Sequence, residues 1–247
     1  MKKLMCGLLV LGMAVVGCSN NTVNSIKENE PKNKTVKMGT VLNGVSTTEK
    51  LEDVMNKDVE DTISKLENKV ENLRTKITSY DLYIENLEEI KETYNLFVKE
   101  TNELGIRMRE YSYKYAEIVL KEGENYKDKY KTLKDVYDDI YDGSAKDMLE
   151  IYDKTLKGMY DLFYSGVLED AYDNLPGDEY DTWYDLRSDE YDVWYDARSD
   201  VYDICSDARS DIYDFTSDLR SEVYDHDDER MEKVMDDFKE DINKLKK

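Results

Sequence analysis

Four near-identical eleven-residue copies follow one another from position 178 to 221, and they constrain the fold more than any other feature. The copies are DEYDTWYDLRS, DEYDVWYDARS, DVYDICSDARS and DIYDFTSDLRS. Eleven residues correspond to three helical turns at about 3.67 residues per turn, slightly above the period of a relaxed α-helix. A fixed period of this kind predicts one long helix that packs along its length.

The apolar positions of the copies recur at spacings of three and four residues, so they form one stripe on the helix. Glu179 and Glu190 occupy the position that Val201 takes in the third copy, which predicts a narrower stripe in the first two copies. We expect Cys205 to be a small packed residue beside the stripe, and an interchain disulfide is the alternative. The predicted repeat stripe consists of Val193, Ala197, Val201, Ile204, Ala208, Ile212, Phe215 and Leu219.

The two flanks of the stripe differ in chemistry. One flank is acidic and includes Asp192, Asp196 and Asp200, whereas the other combines one arginine and one tyrosine from each copy. In the first two copies, Trp183, Trp194, Tyr184 and Tyr195 enlarge the aromatic flank. Large amphipathic rings are common interface anchors. We expect these rings to pack between helices, and an external ligand groove is the alternative.

A seven-residue period precedes the repeats and predicts a coiled-coil helix over residues 46–105. β-branched residues at one core position and leucines at the other favour a parallel two-stranded coiled coil, which leaves a homo-oligomer open. Heptad and hendecad seams diverge by about 5° per residue, so this helix is not expected to pack along the repeat helix. The predicted coiled-coil core consists of Ile63, Leu66, Val70, Leu73, Ile77, Ile84 and Leu87.

Residues 106–175 return to an eleven-residue period, with Gly143-Ser144 as a candidate kink. Pro176-Gly177 ends this segment, and residues 176–247 form the repeat helix and the C-terminal tail. The shared period predicts an antiparallel hairpin of these two segments. The predicted fold is all-α, with elongated long helices: a heptad coiled coil followed by an antiparallel hairpin of eleven-residue-repeat helices.

The charge distribution excludes several functions. The formal net charge is −22, and the residues from Asp178 onward contain 24 Asp and Glu against 10 Lys and Arg. Nucleic acid is therefore excluded as a partner. The paired carboxylates recur as a stripe and form no unique concave pair, so we predict no enzyme activity and no catalytic residues. His226 has acidic neighbours that could attract a cation weakly, but we predict no dedicated metal site and no cofactor.

Residues 1–17 have the features of a signal peptide: Lys2 and Lys3, a short apolar run, and a small residue before Cys18. The stretch Val15-Val16-Gly17-Cys18 resembles the lipobox of bacterial lipoproteins. The resemblance implies cleavage after Gly17 and acyl chains, such as palmitate, on Cys18, which would anchor the chain in a lipid bilayer. An ordinary secretory signal is the alternative. We therefore expect residues 18–45 to consist of the lipidated cysteine followed by a disordered tether.

These features predict a protein anchored by lipid in the cell membrane or the outer membrane, facing the periplasm or the exterior. The expected function is an interaction module, an adhesin-like stalk with a protein or cell-wall partner. The alternative is a structural spacer between membrane and cell wall. It rests on a resemblance to the murein lipoprotein, a lipidated coiled coil whose C-terminal lysine is joined to peptidoglycan. This chain also ends in lysines, Lys246-Lys247.

Overall fold

The computed structural model describes residues 48–177 and 179–247. All regular secondary structure in these two ranges is helical, which confirms the prediction of an all-α fold with long helices. The α-helices are α1 (Thr48–Lys76), α2 (Tyr80–Glu85), α3 (Leu87–Glu122), α4 (Tyr126–Asp139), α5 (Ala145–Asp147), α6 (Lys157–Leu162), α7 (Leu168–Ala171), α8 (Tyr180–Asp225) and α9 (Asp228–Leu245).

The predicted single helix over residues 46–105 is wrong, because the chain turns back between α1 and α2. Ser79 interrupts the helix as the N-cap of α2, where its hydroxyl accepts a hydrogen bond from the backbone N–H of Leu82 at 3.4 Å. Helix α3 then runs antiparallel to α1, as shown by ion pairs between Lys65 and Glu100 and between Arg107 and Asp58. The heptad positions of α1 thus face α3 of the same chain.

The turn also decides which predicted coiled-coil residues are buried. Ile63, Leu66, Val70, Leu73 and Ile77 are buried between α1 and its neighbours. Leu87 is partly buried, but Ile84 is exposed, which corrects its assignment to the core. Ile84 lies in the six-residue helix α2, where the chain has already turned, and the buried residue of that helix is Tyr83.

Helices α3 and α8 run parallel and share the most extensive contact in the fold. The expectation that the heptad segment avoids the repeat helix is therefore wrong. Tyr94 contacts Glu190, and Arg109 pairs with Asp211. At Gly105 the helices come so close that an added Cβ would lie 3.4 Å from Ile204 Cγ2. The buried positions of α3 recur every eleven residues, as in Phe97, Met108 and Val119, so α3 shares the period of α8 and the two seams stay in register. Helix α3 also continues through the predicted boundary at 105/106.

The middle segment, α4 to α7, is a single irregular path interrupted by π-helical turns at Ile140–Ser144, Tyr152–Leu156 and Phe163–Val167, and it ends in a 3₁₀ turn at Tyr172–Asn174. The chain kinks at Gly143, whose ψ of −111° departs from helical geometry. A π turn contains one residue more than an α turn, so each one rotates the following side chains around the axis. Despite these interruptions, apolar residues such as Met148, Met159 and Leu168 remain buried along the middle segment.

The middle segment runs antiparallel to α8. Ring contacts join Tyr172 to Trp183, Tyr160 to Trp194, and Tyr137 to Tyr213. The residue numbers fall along one partner as they rise along the other. Arg209 lies over the Tyr141 ring at 4.3 Å, and its Nε donates to the Tyr141 carbonyl. The arginine and tyrosine flank of the repeat helix therefore packs on the middle segment.

Helix α8 is continuous through all four copies. Of the predicted repeat stripe, Val193 and Ile204 are partly buried. The other six members are buried: Ala197, Val201, Ala208, Ile212, Phe215 and Leu219.

His226 ends the helix in a left-handed conformation, and α9 folds back on α8 and α3, where Phe238 stacks on Phe215 at 3.9 Å. Among the described residues, no helix combines the length and the apolar character needed to cross a bilayer.

Candidate interaction surface

A buried carboxylate lies where the first two repeat copies face α2 and α3. Glu190 is buried, and both of its oxygens accept hydrogen bonds from tyrosine hydroxyls: Oε2 from Tyr83 at 2.8 Å and Oε1 from Tyr94 at 2.5 Å. The sequence predicted a narrower buried stripe at both glutamates. This prediction is wrong at Glu190, which is buried in the stripe, and agrees with the exposure of Glu179. A buried polar group is stable only with hydrogen-bonding partners, and the two tyrosines provide them.

The surroundings of Glu190 shift its titration. Removal from water raises the pKa of the Glu190 carboxyl, while the hydrogen bonds from Tyr94 and Tyr83 and the charge of Lys91 act in the opposite direction. Burial and the neighbouring carboxylate also raise the pKa of both tyrosines. The cluster is enclosed by three helices, so we assign it a role in joining α8 to α2 and α3. The glutamate at a stripe position was the available sequence signal, because such a residue must either reach water or find a buried partner.

On a neighbouring side of α8, the first two copies and the start of the third leave a row of tyrosines exposed. We call this row, together with one tyrosine of the middle segment, the aromatic face. Its members are each between 41% and 61% exposed. The aromatic face consists of Tyr172, Tyr180, Tyr184, Tyr191, Tyr195 and Tyr202. The expectation that these rings serve only to pack helices together is therefore incomplete.

The aromatic face contains two hollows that repeat the same four residues. The first, of about 410 Å³, includes Tyr184, Arg187, Ser188 and Tyr191 in its lining. The second, of about 490 Å³, includes the residues eleven positions later, Tyr195, Arg198, Ser199 and Tyr202, together with Leu149 and Asp153 of the middle segment. One repeat of eleven residues advances a helix by about 16 Å, so the two sets of four α8 residues are separated by that distance. The remaining lining differs, because the first hollow includes Tyr164, Glu169 and Tyr172 in place of Leu149 and Asp153.

Ring contacts with the middle segment hold the first hollow in shape. Tyr191 lies against Tyr164, with ring centres 5.6 Å apart, and Tyr180 lies against Tyr172 at 5.8 Å. Arg187 lies between them, with its guanidinium 4.4 Å from the Tyr164 ring, and it forms an ion pair with Glu169. The arginine charge in this hollow is thus already matched by a carboxylate.

A column of exposed carboxylates runs beside the aromatic face. Each tyrosine of α8 in this face is followed directly by an aspartate, which lies about 100° further around the helix. Ser188 and Ser199 lie between the rings and the carboxylates, and they make a narrow floor because their side chains are small. We call these carboxylates the aspartate column: Asp181, Asp185, Asp192, Asp196 and Asp203.

The remaining predicted sites are distributed as follows. Cys18 and Gly17 lie outside the described residues. Cys205 is fully buried, and burial raises the pKa of its thiol to about 12, so an interchain disulfide would require the bundle to open. His226 stacks on Tyr126 at 4.2 Å. Within residues 48–177 and 179–247, no group of three or more His, Cys, Asp or Glu side chains is arranged to hold a metal ion.

Comparison with known protein families, curated proteins and solved structures finds no match to this chain.

Proposed function

We propose that this chain is a lipid-anchored envelope protein whose helical bundle is an interaction module, and that the aromatic face of α8 is its binding surface. The observation that carries the proposal is the row of half-exposed tyrosines beside the aspartate column. Exposed groups of large rings usually mark interaction sites, since a helix that only packs internally would bury them. The lipid anchor rests on the resemblance of residues 15–18 to a lipobox.

The structural spacer is less favoured. A spacer that is joined to the cell wall by its last lysine needs a C-terminus that extends away from the bundle. Here α9 folds back on α3 and α8, and the Lys246 side chain pairs with Glu110 of α3.

The anchor is tested by labelling cells that express Cys18→Ala or, as a matched control, Cys205→Ala with radioactive palmitate. We expect the label in the second variant and its loss in the first. A Cys18→Ala protein that still incorporates palmitate would contradict lipidation at this residue.

The interaction module is tested by placing a photo-crosslinking amino acid at Tyr195 or at Tyr224 in intact cells. Both residues are exposed, but only Tyr195 belongs to the aromatic face. We expect a covalent adduct at 195 that is absent at 224. Equal adducts at the two positions, or none at either, would argue against a binding surface on the first two copies.

A protease that cannot enter cells distinguishes two locations of the bundle. It digests a bundle on the cell exterior and leaves a periplasmic bundle intact.

A further inference from the structure

We propose that the aromatic face binds a basic polypeptide segment in extended conformation, with one cationic side chain in each of the two hollows. This inference rests on the proposed function of the same surface and specifies the chemistry of its partner. Three observations support it: the equivalence of the hollows, the kind of side chain that they fit, and the charge around them.

The equivalence of the hollows fixes a spacing. Tyr184 and Tyr195 are related by one repeat, as are Ser188 and Ser199, so α8 contributes the same four residue types to each hollow, about 16 Å apart. An extended polypeptide advances about 3.3 Å per residue and its successive side chains point to opposite faces, so two side chains on one face lie four residues, or about 13 Å, apart. Long flexible arginine side chains can bridge the remaining ~3 Å to the two hollows. Two subsites with the same α8 residue types at this interval fit a linear ligand with a recurring side chain better than a single small molecule.

The chemistry of each hollow fits a long cationic side chain. Tyrosine rings attract ammonium and guanidinium groups over their faces and also pack against aliphatic stems. The chain itself shows this contact, since Arg187 and Arg220 both lie over tyrosine rings, at 4.4 and 5.0 Å. A cationic group that reaches across Ser188 or Ser199 would meet the aspartate column.

The charge of the surface also selects among partners. Arg187 is paired with Glu169, so the aspartate column gives the first hollow an excess of negative charge. A second copy of this chain would bring two such columns together and would be repelled. A neutral glycan strand could stack on the rings but would leave the carboxylates without a partner. A basic segment uses both the rings and the carboxylates.

The repeats themselves provide the matched variants. In the third and fourth copies the positions of Tyr184 and Tyr195 are taken by Ser206 and Ser217, within the same continuous helix. Tyr184→Ser combined with Tyr195→Ser therefore removes one wall of each hollow with a residue that α8 already accepts there, and it leaves the aspartate column intact.

Ser206→Tyr makes the reverse change in the third copy. The introduced ring joins Arg209, Ser210 and Tyr213, which already occupy the other three positions of a hollow. This variant therefore gives the third copy all four residue types that line each hollow of the first two.

The experiment measures binding of the full chain to fluorescein-labelled glycine–serine peptides by anisotropy. One peptide carries two arginines four residues apart, one carries the same two arginines side by side, and one carries three arginines at four-residue intervals. We expect the spaced peptide to bind more tightly than the adjacent one, and Tyr184→Ser/Tyr195→Ser to weaken it about tenfold. Ser206→Tyr should strengthen binding of the three-arginine peptide several-fold.

Equal binding of the spaced peptide to the wild type and to the double variant would overturn the proposal, because the carboxylates alone would then suffice. Absence of binding would overturn it as well. A neutral soluble glycan is measured in parallel. A further outcome is that the glycan binds to the wild type and loses binding in Tyr184→Ser/Tyr195→Ser, while the peptide does not bind. In that case the proposed basic partner is wrong, but the aromatic face remains a binding surface. Failure of the proposed function itself would appear separately, as equal or absent photo-adducts at 195 and 224 in cells.

Discussion

The first two copies of the repeat and the last two share most of their sequence but make different contacts. At one position Trp183 and Trp194 are replaced by Cys205 and Thr216, and at another Tyr184 and Tyr195 are replaced by serines. The last copies form an ordinary buried stripe, covered in part by α9 through Phe238. The first copies add an external aromatic face and an internal carboxylate. A helical repeat can therefore keep its packing while a few positions acquire another role.

The largest difference between the copies is expected at the tryptophan position. Trp194 is buried against the rings of Tyr160, at 4.6 Å, and Tyr191, at 5.6 Å. Trp194→Cys introduces the residue of the third copy and leaves a cavity, which should lower the free energy of unfolding by about 3 kcal/mol. Urea denaturation measures this loss. A loss below about 1 kcal/mol would mean that the wide aromatic stripe of the first copies adds little to packing.

The next effect concerns the carboxylate. Glu190→Val introduces the residue of the third copy and leaves the hydroxyls of Tyr83 and Tyr94 without their acceptor, which should cost about 2 kcal/mol or more. Adding Tyr83→Phe and Tyr94→Phe should recover most of that loss, because the unpaired hydroxyls are removed. Glu179→Val, at the equivalent exposed position, is the control and should change little. If the triple variant is as unstable as Glu190→Val, the hydrogen bonds are not the cause.

A smaller effect depends on pH. The pKa of Glu190 is raised in the folded state, so its contribution to stability is fully present below the pKa of the unfolded chain and is lost as pH rises through the folded pKa. The free energy of unfolding of the wild type should therefore fall relative to that of Glu190→Gln as pH rises from 4 to 8. Denaturation of both proteins at each pH isolates this residue from the other carboxylates. A difference that stays constant with pH, or changes with the opposite sign, would contradict the raised pKa.

The smallest effect on stability is expected from Tyr184→Ser/Tyr195→Ser. Both rings are at least half exposed, and substitutions at exposed positions usually change the free energy of unfolding by less than about 0.5 kcal/mol. Thermal denaturation should show nearly the same midpoint as the wild type. A large loss would show that these rings support the fold, and the binding comparison would then require single substitutions.

Particular residues show where prediction from the sequence was limited. The break after α1 had a local signal, because Thr78 and Ser79 are weak helix formers and Ser79 can cap the helix that follows. The strong heptad period on both sides concealed this signal. The stripe position of Glu190 signalled that it needs a partner, but nothing in the sequence identified Tyr83 and Tyr94, which are about a hundred positions away and reach the carboxylate only on folding. The two hollows could have been anticipated from the eleven-residue spacing of Tyr184 and Tyr195, but only together with their exposure.

The sequence by itself determined the helical class, the continuity of α8 and the identity of most of its buried stripe. These features depend on local periodicity, which one helix carries without reference to its neighbours. The tertiary structure decided that the heptads fold back on themselves, that α3 packs along α8, and that one face of the first two repeat copies remains exposed. Pairing depends on which surfaces meet in three dimensions, and several partners satisfy the same apolar stripe. The same face of the last copies is also exposed, at Ser206, Tyr213 and Ser217, so the rings of Tyr184 and Tyr195, rather than a difference in cover by α9, distinguish the first two copies.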